Sequence, residues 1–182
     1  MTARRALLLL LLILGAGCSR RSATTQGPVT FPPSPFLRSL DWDDVLFGNA
    51  RVADRRWTWD WHEQHGTDPV VTPDHHLLRQ GYEAVGHCED PDQKGRRVEC
   101  RPEDVRAFMD AAKEDLKKRL AAGASELSSQ HGDDGSSCDF EIDYTMGNTS
   151  GRITGKALYP RWWRDDAVRV TFRLEEKVAP VR

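Results

Sequence analysis

Three consecutive segments in the C-terminal third alternate apolar and charged residues with a period of two. Phe140, Ile142 and Tyr144 are interleaved with Asp139, Glu141 and Asp143. Ile153, Ala157 and Tyr159 alternate with Arg152, Thr154 and Lys156. Val168, Val170, Phe172 and Leu174 alternate with Arg169, Thr171, Arg173 and Glu175. Successive side chains on a strand point to opposite faces, so each segment offers one apolar and one charged face. The three predict an antiparallel sheet covered on one side, with turns at 146–151 and 160–166. The acidic outward face of the first strand is matched to the basic face of the second.

A helix precedes them. Pro102, followed by Glu103 and Asp104, suits a helix N-terminus. Val105, Phe108, Met109, Ala112, Leu116 and Leu120 recur on one helical face. Lys117, Lys118 and Arg119 complement the far end, and Gly123 stops it. Residues 124–137 are polar and read as a loop. One long helix packed on a C-terminal three-strand meander is an α+β arrangement, the predicted fold class. In the front half, Leu37, Leu40, Val45 and Leu46 fit a short helix, and 56–62 a strand. Thr72-Pro73-Asp74 would start another short helix through Leu77, Leu78 and Tyr82.

The N-terminus is of a different kind. Arg4-Arg5 lead into an apolar run over 6–14, then Gly15-Ala16-Gly17-Cys18. The run is too short to span a bilayer, which takes roughly 20 apolar residues. This order of charge, apolar core, small residues and cysteine resembles the signal peptide of a bacterial lipoprotein. It departs from that pattern at Gly15, where leucine is usual. The resemblance covers about the first 18 residues. It implies removal of 1–17, acylation of Cys18 with palmitate-type chains, and anchoring to a cell-envelope membrane. Ser19 implies the periplasmic side of the outer membrane in a Gram-negative cell. An ordinary secretory signal is the alternative. Residues 18–35 would then be a proline-containing disordered tether, too poor in apolar groups to offset its ordering entropy. Residues 36–182 would form a single small domain.

Composition narrows the function. The chain carries 26 basic and 28 acidic side chains, net −2, and loss of 1–17 would remove two arginines and no acid, giving net −4. That balance offers no basic surface for nucleic acid. Mean hydropathy is −0.61, so the body is polar. Beyond Cys18 there are Cys88, Cys100 and Cys138. In an oxidising compartment these read as one disulfide and one leftover thiol. The intervening turn residues favour Cys88–Cys100, a closure worth about 3 kcal/mol. Cys138 is then a buried thiol or pairs between molecules. No Cys-x-x-Cys motif is present.

Several constellations resemble sites. In Trp57-Thr58-Trp59-Asp60-Trp61, a regular strand would put three indoles on one face, as core or as a platform for sugar rings. Trp162-Trp163 falls in a turn and is a further candidate contact. His62-Glu63-Gln64-His65 is one residue short of the zinc-protease spacing, so a metal would need His75 or His76 as well. Asp90 to Gly95 begins like a calcium loop but fails at Lys94 and Arg101. Gly147 to Gly151 places its serine wrongly for a nucleophile elbow. No catalytic set and no cofactor motif emerges. The sequence therefore predicts an envelope lipoprotein with a non-catalytic binding or assembly domain. Its partners would be the membrane, through the lipid, and an envelope protein or cell-wall glycan. Glycan binding by the tryptophan row is the alternative, and a metal-dependent hydrolase using the histidines is a third reading.

Overall fold

The three alternating segments form strands and pair in chain order. The computed structural model describes residues 31–32, 34–52, 55–66, 69–160 and 167–181. The helices are α1 (Pro35–Ser39), α2 (Trp42–Gly48) and α3 (Pro102–Ala121). The strands are β1 (Arg51–Val52), β2 (Arg55–Gly66), β3 (Val70–Val71), β4 (His76–Glu89), β5 (Arg97–Val98), β6 (Glu126–Asp133), β7 (Ser137–Met146), β8 (Thr149–Leu158) and β9 (Val168–Val178). Cys18, Trp162 and Trp163 lie outside the described residues, as do the 1–17 segment and most of the tether.

The α+β expectation is overturned. The described residues are mostly strand, in one nine-stranded antiparallel curled sheet of order β1-β2-β4-β9-β8-β7-β6, with β3 and β5 pairing β4. The expected meander is only β7 to β9. The sheet continues on both sides of it, for two reasons. Residues 76–89, read in part as a short helix started by Thr72-Pro73-Asp74 and running through Leu77, Leu78 and Tyr82, form a strand of 14 residues. On it Leu78 and Tyr82 face inward, and Leu77 points the other way. Residues 126–133, read as loop, pair along β7 from Glu126↔Thr145 to Asp133↔Cys138. That strand is largely exposed, so it carries no alternation to betray it.

The inner face is built in cross-strand rows. One runs Tyr82, Phe172, Gly155, Phe140, and the next Gln80, Leu174, Ile153, Ile142. Helix α3 lays Val105, Phe108, Met109, Ala112, Leu116 and Leu120 against this face, all fully buried. Helix α2 adds Trp42, which stacks on Phe172 with centroids 5.2 Å apart and on Tyr82 at 6.2 Å. Each large apolar side chain so buried contributes about 1.5–3 kcal/mol. The tight β7–β8 turn takes Gly147 at φ +60°, a conformation suited to glycine in a two-residue hairpin.

The first turn of α3 is fastened to both margins of the sheet. Asp104 accepts the Arg101 backbone N–H at 3.1 Å and pairs with Arg55 of β2 at 3.4 Å. Two residues on, Arg106 pairs with Asp133 at the end of β6. At the other end, the segment carrying α1 covers the inner face. Ser34 Oγ accepts the Leu37 N–H at 3.1 Å, Phe36 packs edge-on against Tyr144, and Phe31 packs against His76. Beneath it Glu176 is fully buried, and one of its oxygens takes the Tyr144 hydroxyl. No helix among the described residues is long and apolar enough to cross a membrane.

Candidate binding surface

The tryptophan row does not survive the fold. Trp57 pairs Cys88 and Trp59 pairs Gly86, both facing inward, but the register then shifts and Trp61 pairs Val85. One extra residue, Asp60, reverses the facing of everything after it. Trp57, 3% exposed, and the half-buried Trp59 close over Phe108 at 5.0 and 5.3 Å. Trp61 emerges on the opposite, outer face, 43% exposed. Asp60 is held at the bulge by His87 Nδ1 at 2.6 Å and by Arg97 at 2.5 Å.

The histidines are not brought together. His62 lies on the inner side, 3.2 Å from Asp43 and edge-on to Phe47, whereas His65 points outward. His75 is tied into a local turn with Thr72, whose hydroxyl is 3.1 Å from its Nδ1. His76 sits under Phe31. Among the described residues no group of three or more His, Cys, Asp or Glu side chains is placed to hold a metal ion. The i, i+3 spacing that would suit a helix puts His62 and His65 on opposite faces of a strand.

The cysteines pair as the spacing suggests. Cys88 and Cys100 form the disulfide, with Cα atoms 5.1 Å apart. Cys138 is a buried free thiol, and burial pushes its pKa up to about 11. Beside it, Tyr159 donates to Asp133 at 2.8 Å and lies under the Arg106 guanidinium, 5.6 Å from the ring centroid. The Gly135 N–H, Arg106 and Tyr159 together hold the Asp133 carboxyl below the usual carboxylate range.

The outer face is where the structure leaves room. Asp143 receives Arg152 at 2.7 Å, Arg152 also reaches Glu141 at 3.4 Å, and Arg79 binds Glu175 at 2.8 Å. A recess of about 620 Å³ opens among Glu126, Ser128, Asp143, Arg152, Glu175 and Lys177. A second, of about 590 Å³, includes Asp139, Glu141, Lys156 and Arg173. At one end of this face the charged ladder gives way to the cross-strand row Trp61, Val85, Arg169, Leu158, where Leu158 is 43% exposed. Arg169 there pairs with Glu83 at 3.3 Å. The tryptophan and arginine of this row are residue types that anchor protein contacts, and Leu158 adds exposed apolar area beside them. Leu158 and Arg169 were not singled out from the sequence. The available signal was Leu158 itself, an apolar residue on the charged face of its strand.

No protein-family model, no curated protein and no solved structure matches this chain.

Proposed function

We propose that the chain is a cell-envelope lipoprotein, anchored through Cys18, whose domain is a non-catalytic binding or assembly module. One observation carries the reading. The inner face of the sheet is closed by α2, α3 and the 31–40 segment, while the outer face of the long strands bears recesses and the Trp61–Arg169–Leu158 row. The segment that leads back to the tether is sewn to the closed side, so an anchored domain keeps its outer face available. Alternating charge that is already self-paired suits a polar partner, such as an envelope protein. Exposed Trp61 keeps a cell-wall glycan as the second reading, now resting on one ring instead of three.

Two measurements test the proposal in the full chain. Metabolic labelling with palmitate should mark the chain, place it in the membrane fraction, and fail for Cys18→Ala. Absence of label in the wild type would remove the anchor. A photo-crosslinking residue at Leu158 should then capture an envelope partner that the same residue at Asp115, on α3, does not. Equal capture at both positions would remove the outer face as the docking surface. Co-sedimentation with cell-wall polysaccharide that is lost in Trp61→Ala would favour the glycan reading.

A further inference from the structure

We propose that a recess between β1, the start of β2 and the disulfide loop binds a phosphate ester of a small polyol or sugar. This site lies at the β1–β2 margin of the sheet, away from the Trp61–Leu158 row, and does not rest on the lipid anchor. The recess measures about 510 Å³ and is lined by Arg51, Arg55, Arg56, Glu89, Asp90 and Lys94, with Pro91 at its side.

Its charges do not cancel. Arg55 is committed to Asp104 at 3.4 Å, and Arg56 to Glu89 at 3.4 Å. Asp90 accepts the Asp92 N–H at 2.9 Å and lies 3.8 Å from Arg96. Both carboxylates of the recess are therefore matched by cations. Arg51 and Lys94 have no ion-pair partner among the described residues. Two unneutralised cations in a concavity concentrate positive potential and draw an anion. The planar guanidinium of Arg51 suits the paired oxygens of a phosphate, and Lys94 adds a compact point charge.

The carboxylates decide what is attached to the phosphate. With the other cations committed to carboxylates, no charge is left over for a second anionic group, while Glu89 and Asp90 oxygens can accept hydrogen bonds from hydroxyls. An anionic head with a neutral hydroxylated body fits that division of charge. The recess, about 510 Å³, has room for more than one phosphate. The loop bearing Lys94 is held in place. Cys88–Cys100 closes it, the Asp90 N–H bonds the Arg96 carbonyl at 2.8 Å, and the Arg96 N–H bonds the Gln93 carbonyl at 3.0 Å.

Isothermal titration of the full chain in neutral detergent tests the site, with inorganic phosphate, glycerol 1-phosphate and glucose 1-phosphate as probes. At least one ester should bind more tightly than inorganic phosphate, and which one binds better identifies the polyol. Arg51→Ala with Lys94→Ala should weaken that ester about tenfold or more. Arg51→Lys alone should give an intermediate affinity, since it keeps the charge and loses the planar fork. Lys118→Ala, on the exposed side of α3, should leave the affinity unchanged. Both site residues are exposed and have no ion-pair partner among the described residues, so the double variant should fold, as circular dichroism would check. No binding of either ester, equal affinity for inorganic phosphate and both esters, or wild-type affinity in the folded double variant would overturn the proposal.

Discussion

Gly155→Ala should destabilise this protein, although alanine loses less conformational freedom on folding. Gly155 of β8 lies opposite Phe140 of β7. A Cβ at that position would stand 2.4 Å from Phe140 Cε1 and 2.5 Å from its Cζ. The ring has little space to retreat, because Phe140 is buried and packs against Phe172, 6.2 Å between centroids. Overpacking of this kind costs about 1–3 kcal/mol. The reduced freedom of the unfolded chain returns about 0.4–1 kcal/mol. The net loss is thus about 1–2 kcal/mol, or a fall in Tm of roughly 2–8 °C at about 2–4 °C per kcal/mol. Urea unfolding followed by tryptophan fluorescence should show a lower midpoint with an unchanged slope. Gly66→Ala is the control, since a Cβ there meets nothing within 4 Å. Shrinking the ring in Gly155→Ala/Phe140→Leu should restore part of the loss, so the two changes should not add. A Gly155→Ala protein as stable as the wild type would refute the argument that the ring and the glycine are matched. The same pairing recurs at Gly86 with Trp59 and at Gly151 with Tyr144.

Other consequences can be checked in parallel. Cys88→Ser with Cys100→Ser should cost about 3 kcal/mol in urea unfolding, the chain-entropy value for a loop of this length. With its pKa pushed up to about 11 by burial, the Cys138 thiol should resist iodoacetamide near neutral pH and react once urea unfolds the chain. Burial pushes the Asp104 carboxyl up, but hydrogen bonds from the Arg101 side chain and backbone, helped by Arg55, outweigh it and hold the group low. Its stabilisation is therefore complete above the ordinary aspartate value of about 3.9 and is lost as pH falls through the lower folded value. Asp104→Asn should accordingly flatten the loss of stability measured between about pH 5 and pH 2. Tyr144→Phe removes a protein donor from the buried Glu176 carboxylate and should cost about 1.5–3 kcal/mol in the same unfolding assay.

What could be read in advance follows from how each element signals itself. Helix α3 was legible because Pro102, its acidic first turn and one apolar stripe agree. Strands β7 to β9 were legible because one face is dry and the other charged. Strand β6 was not, since a sheet margin largely exposed to water imposes no pattern on its residues. In β4 a Thr-Pro-Asp start signal at 72–74 made Leu77, Leu78 and Tyr82 read as helical, whereas they lie on a strand. Trp57 to Trp61 was placed correctly on a strand, but a single bulged residue at Asp60 changed which face Trp61 occupies, and no composition rule marks that bulge. The Arg51–Lys94 recess needed two segments more than 40 positions apart in the chain to meet, which spacing along the sequence does not reveal.

The place of β9 governs when this chain can fold. Among the described strands it comes last in the chain, yet it lies in the middle of the sheet between β4 and β8. Arg79 meets Glu175 across 96 positions. Until residues 168–178 are available, β2 with β4 and β6 to β8 are two fragments with no ladder between them. Contacts at such separation form late and slowly. The native sheet therefore cannot assemble before residues 168–178 have been made. Before that point the chain holds two partial sheets, each with an open ladder edge where β9 will lie.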